Sequence, residues 1–132
     1  MSMLTLALLT PLLIKTSHTG FMPERWARSE KCEVFETEII LTRTYGKRAL
    51  HFQFPLQADT PETISEMIEL AREEKLVFQD NHLCDGPSTV IKAADDLVIY
   101  ATGGCGAPKK IRQGPYSFAL RDIASTFCPT TH

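Results

Sequence analysis

The chain has 132 residues, 43% of them hydrophobic and 23% charged, with a formal net charge of −2. That length holds one domain around a single core, and that composition excludes a disordered chain. The nearly balanced, slightly acidic charge gives no electrostatic reason to expect DNA or a lipid surface as the main partner, although local basic patches remain compatible with it.

Met3 to Ile14 is an uncharged apolar run interrupted by Pro11, too short to span a bilayer as a helix. It resembles the hydrophobic region of a signal peptide, with Ser17 and Thr19 as a crude small-x-small cleavage site, although no Lys or Arg precedes it. Residues 1–20 are therefore expected to be a leader and 21–132 a single domain with no membrane span. A buried first strand, broken at Thr10-Pro11, is the competing reading.

Phe21 to Lys31 is expected to form a short helix opening at Pro23, with Trp26 beside Arg25 and Arg28. Cys32 to Tyr45 and Arg48 to Leu56 read as two long strands joined at Gly46-Lys47. Phe35, Ile39, Leu41 and Tyr45 share one parity, and Leu50, Phe52 and Phe54 supply the same face of the second strand, which implies burial. The opposite face carries Glu36, Glu38, Thr42, Thr44, Ala49, His51 and Gln53, and is solvated or a binding surface.

Thr60, as N-cap, and Pro61 open a helix running to about Lys75. Ile64, Met67, Ile68 and Ala71 form its apolar stripe, and Glu62, Glu66, Glu69 and Glu73 its outer face. A short strand is expected at Leu76 to Phe78, then a hairpin of Ser88–Ala93 and Asp96–Thr102 turning at Ala94-Asp95. In that register Cys84 faces Cys105, which favours a disulfide between them and leaves Cys32 to bond Cys128. After a basic loop with Lys109, Lys110 and Arg112, Gly114-Pro115 opens a C-terminal helix carrying Tyr116, Ala119, Leu120, Ile123, Ala124 and Phe127, and Pro129 stops it.

The expected fold is thus α+β: a mainly antiparallel sheet of four or five strands, with a middle and a C-terminal helix packed on it and two disulfides bracing it. An even number of cysteines in a small chain suits an oxidising compartment, so a periplasmic or secreted location is expected.

The chemical motifs are incomplete. Gly103 to Lys110 brings glycines and lysines together but lacks the spacing of a phosphate loop, and nothing implies a cofactor. Cys105 between glycines suits a nucleophile with His82 or His51 as base, but the disulfide explains it too. His82, Cys84, Cys105, Cys128 and His132 are metal-ligand types without metal-ligand spacing, so no metal is expected. The order hairpin, helix, strands resembles the microbial ribonuclease fold, in which case His51 and His82, with Arg43, Arg48, Glu36 or Glu38 nearby on the sheet, would supply acid, base and phosphate contacts.

With no assembled catalytic set, the leading expectation is an exported protein-binding domain, an inhibitor or toxin-immunity protein, whose partner is another protein such as a hydrolase or toxin. Its contact residues would be Tyr45, Lys47, Arg48, His82, Gly104, Lys109 and Lys110. The alternative is a secreted ribonuclease, or an inactive ribonuclease-like effector.

Overall fold

The computed structural model describes residues 10–18, 27–80, 88–102 and 107–129. The strands are β1 (Leu13–His18), β2 (Arg28–Val34), β3 (Glu38–Tyr45), β4 (Arg48–Pro55), β5 (Lys75–Gln79), β6 (Ser88–Ala93), β7 (Leu97–Ala101) and β8 (Lys109–Gln113). With the helices α1 (Thr60–Ala71) and α2 (Pro115–Phe127) they make the described residues an α+β fold. The strands form one sheet of eight, in the order β4-β3-β2-β1-β6-β7-β8-β5, with every pairing antiparallel.

The expected four or five strands become eight for identifiable reasons. Cys32 to Tyr45 is two strands, not one, because the chain turns at Phe35, whose N–H donates to Glu38 O at 2.8 Å. Cys32 and Val34 point inward before the turn, and Ile39 and Leu41 after it, so the buried parity changes from even to odd. Arg28 to Lys31 belongs to β2 rather than to a helix, and Lys109–Gln113 is a strand rather than a loop. The remaining addition is β1. Leu13–His18 falls inside the stretch assigned to a leader, yet it is a central strand, hydrogen-bonded to β2 on one side and β6 on the other. Cleavage near Gly20 would remove it.

The hairpin of β6 and β7 forms in a different register from the one expected. Asp95 and Asp96 take left-handed φ values of 62° and 57°, and the Leu97 N–H donates to Ala94 O. Aspartate tolerates this conformation better than most residues. Ala93 therefore pairs with Leu97, not Asp96, Lys92 pairs with Val98, and a bulge between Lys92 and Ile91 then sets Ile91 opposite Tyr100. The bulge turns two successive residues toward the helices: Ile99 is buried, and Tyr100 lies under the Arg121 guanidinium of α2, 4.1 Å from ring centroid to Cζ. Cys84 and Cys105, whose pairing rested on the expected register, lie outside the described residues. The one disulfide seen among the described residues joins Cys32 to Cys128.

Both helices lie on one face of the sheet. Ile64, Ile68 and Ala71 of α1 and Leu120 and Ala124 of α2 are buried with Leu13, Val34, Ile39, Leu41, Ile91 and Ile99. The helix from Thr60 ends four residues early, at Ala71, and Asp59 rather than Thr60 occupies its N-cap. The glutamates Glu62, Glu66, Glu69 and Glu73 are exposed, as the stripe implied.

Two devices seat α2. At its C-terminus, the disulfide ties Cys128 to β2 across 96 residues of sequence, a loop whose closure contributes about 3–5 kcal/mol on the chain-entropy account. Beside it, buried Lys15 donates from Nζ to Cys128 O at 2.7 Å, and burial pushes the ammonium below its ordinary pKa against the opposing pull of Glu30.

At its N-terminus, Gly114 has no side chain to cap the helix, and Glu74 serves from just before β5, the strand paired with β8. Its carboxylate accepts from Ser117 N and Ser117 Oγ at 2.7 Å and from Tyr116 N at 3.2 Å. A Cβ at Gly114 would overlap the Glu74 carboxylate. Arg112 fixes the neighbouring chain through Nη1 to Glu74 O, 2.7 Å, and Nε to Val98 O, 2.9 Å. Partial burial would raise the Glu74 pKa, but the Ser117 and Tyr116 hydrogen bonds and Arg112 outweigh it and hold the carboxyl below its ordinary value.

A chain beginning at Phe21 is expected to show no cooperative thermal transition by circular dichroism, whereas a chain beginning at Thr10 retains one. Because the folded pKa of Glu74 is depressed, its contribution is present above roughly pH 4.3 and lost as pH falls through the folded value. Glu74→Gln should therefore flatten the acid limb of stability against pH, and Gly114→Ala, by displacing the carboxylate, should cost about 1–2 kcal/mol in urea denaturation.

Candidate functional site

The helix-side face of the sheet is only partly covered. Pairing registers carry the inward parity outward from the core in rows. Val34, Ile39 and Phe54 form one row, Cys32, Leu41 and Phe52 the next, then Glu30, Arg43 and Leu50, and finally Arg28, Tyr45 and Arg48. Val34, Ile39, Cys32 and Leu41 are core, but burial fails along the strands toward Arg28 and across them toward β4, where all eight residues are exposed. Leu50, Phe52 and Phe54 were expected to be buried by their alternation. They are 47%, 37% and 47% exposed, because α2 packs on β1, β7 and β8 at the other side of the sheet.

The uncovered corner is organised by charge and aromatic rings. The Arg43 guanidinium sits over Phe52, 5.4 Å from the ring centroid, and its Nε lies 3.5 Å from Glu30 Oε1. That Nε is shielded from solvent and has no hydrogen-bond partner, so Glu30 answers its charge without satisfying its donor geometry. Arg28 lies over the Tyr45 ring at 5.6 Å. Arg48 is the cross-strand neighbour of Tyr45, and among the described residues it has no ion-pair partner. Arginine and aromatic side chains around aliphatic surface are the composition that carries binding energy at protein interfaces.

The opposite face of the same strands is polar and internally paired. His51 Nδ1 lies 3.2 Å from Thr42 Oγ1, Gln53 Nε2 donates to Glu38 Oε2 at 3.0 Å, and Lys31 lies 3.8 Å from Glu33. His51 and Arg48 thus occupy opposite faces of β4 and do not converge on one reacting group. His82 lies outside the described residues, as does Gly104.

The proposed contact residues fall into two groups. Tyr45, Lys47 and Arg48 stand together at the turn between β3 and β4, whereas Lys109 and Lys110 are in β8. β3 and β8 are five steps apart in the sheet, which at the usual strand spacing is about 24 Å. One small ligand cannot bridge them.

Arg28 and Glu30 were missed as site residues because their stretch was read as helix, and Leu50, Phe52 and Phe54 because they were assigned to the core. The available signal was the number of strands. Period-two alternation says which side chains share a face, not whether anything covers that face. Among the described residues no group of three His, Cys, Asp or Glu side chains is placed to hold a metal, and no helix is long and apolar enough to cross a membrane.

If the β4 face is bare, substitutions there should be cheap and those one strand inward costly. Phe52→Thr is expected to change the free energy of unfolding by less than about 1 kcal/mol, while Leu41→Ala, its cross-strand neighbour, should cost about 2–4 kcal/mol by urea titration.

No protein-family model, curated protein or solved structure matches the chain.

Proposed function

We propose that the chain is a protein-binding domain of an oxidising compartment, periplasmic or extracellular, that docks on and neutralises another protein. One observation carries the docking: an exposed apolar strip of Leu50, Phe52 and Phe54, continuous with Arg43, Tyr45 and Arg48 and held on a rigid sheet. A preformed surface of this kind loses little conformational entropy when a partner orders against it. Support for the compartment comes from the Cys32–Cys128 bond, whose cysteines are almost fully buried and whose pairing closes nearly the whole domain.

The ribonuclease reading has less behind it. Metal-independent RNA cleavage needs an acid and a base within reach of one phosphodiester. His51 faces away from Arg48, Glu30 and Arg43, and its ring nitrogen is engaged by Thr42.

Phe52→Ala and Arg48→Glu test the proposal. The partner should co-purify with the wild-type chain from its native source. Recovery with either variant should fall by about tenfold or more, as for loss of a central contact, while thermal stability is unchanged. Equal recovery with both variants would exclude this face as the docking surface.

A further inference from the structure

The strip borders a sheet edge with which no other described strand pairs, and the two together specify how a partner would sit. β4 is the last strand of the sheet on its side, eight residues long, against five for the opposite edge, β5. The Leu56 N–H donates to Thr37 O on the β3 side, so by alternation the N–H and C=O of Ala49, His51 and Gln53 point away from the sheet. Pro55 shares that outward parity, where its missing N–H costs the β3 ladder nothing, and it guards only the end of the edge. Among the described residues, no strand pairs with the middle of the edge.

We infer that β4 takes up an extended segment of the partner protein as a ninth, antiparallel strand. The segment hydrogen-bonds to the outward amides of Ala49, His51 and Gln53, and on the helix-side face it sets apolar side chains against Leu50, Phe52 and Phe54 and a carboxylate against Arg48. This rests on the protein-binding reading and names the partner's chemistry. The charge argument comes from the same face: Arg43 is paired there with Glu30, whereas Arg48 at the rim has no ion-pair partner among the described residues. A strand with alternating side chains reads both features at once, because every second residue lands on that face. The chain's own β3 sets the pattern. Arg43 lies diagonal to Phe52 across one ladder, and a strand on the other side of β4 would place its residues at equivalent offsets.

The probe is the capped peptide acetyl-Val-Thr-Val-Thr-Val-Thr-Glu-amide, which in antiparallel register puts valines opposite Phe54, Phe52 and Leu50 and the glutamate opposite Arg48. Titration into the folded protein, followed by amide NMR, should shift Ala49, His51 and Gln53 saturably. Gln53→Pro removes one outward donor and should weaken binding by about tenfold. Gln53→Ala, which loses the same side-chain bond to Glu38 but keeps the amide, should stay within about twofold. A peptide with Lys in place of Glu should bind several-fold more weakly at low salt, and the difference should shrink as salt is added.

Absence of saturable binding, or binding that Gln53→Pro leaves intact, would overturn strand addition. So would sedimentation showing that the wild-type chain pairs with a second copy through β4. If the co-purifying partner is lost with Phe52→Ala but kept with Gln53→Pro, the docking face stands and the ninth strand does not.

Discussion

Among the described residues, two helices face a sheet of eight strands, and most of what is distinctive in the described domain follows from how far those two reach across it. Strands spaced about 4.8 Å apart give a sheet roughly 34 Å across. Two helices lying side by side, each 10–12 Å in diameter, cover about two-thirds of it at most. Since α2 is anchored over β1, β7 and β8, the shortfall accumulates at β4. There the inward-facing side chains keep the alternation of a core strand without the layer that would bury them. The apolar strip is thus a consequence of layer arithmetic rather than of an unusual local sequence.

The position of α2 is itself over-determined, which keeps the shortfall at one end. Its N-terminus is held by a carboxylate from the segment before β5, and its C-terminus by the disulfide to β2 and the Lys15 ammonium of β1. Cys32 and Lys15 are cross-strand neighbours, so the bond and the ammonium meet the helix end at one point of the sheet. A helix pinned at both ends cannot slide toward β4 to cover the strip.

Much of this was legible in the residues, and the failures have physical causes. Pro61 and Pro115 mark both helices, and the stripes of α1 and α2 name their buried faces. The Cys32–Cys128 bond followed by elimination from a register that proved wrong by the geometry of Asp95 and Asp96, where no glycine advertises a left-handed turn. β1 stood only as the competing reading of the leader stretch, because its buried face sets Lys15 and Ser17 beside Leu13 and so shows no apolar alternation. The split between β2 and β3 was visible as the parity change between Val34 and Ile39, but Phe35, which is buried at the turn, masked it by fitting the odd series. Coverage of a sheet face depends on how many strands share two helices, and no local pattern encodes that.

The place of β1 also sets an order of events during synthesis. Its two ladders are made with β2, a few residues further along, and with β6, which leaves the ribosome some seventy residues later. A meander of β1 to β4 can assemble early from near neighbours, but it carries an open edge along β1 until β6 arrives, and Cys32 waits as a thiol until Cys128 follows at the far end of the chain. Long-range closure of this kind slows folding and leaves half-built sheets exposed. The nascent chain therefore passes through a stage in which the open β1 edge and a cysteine still without its native partner are presented together, and formation of the Cys32–Cys128 bond becomes a record that α2 has docked.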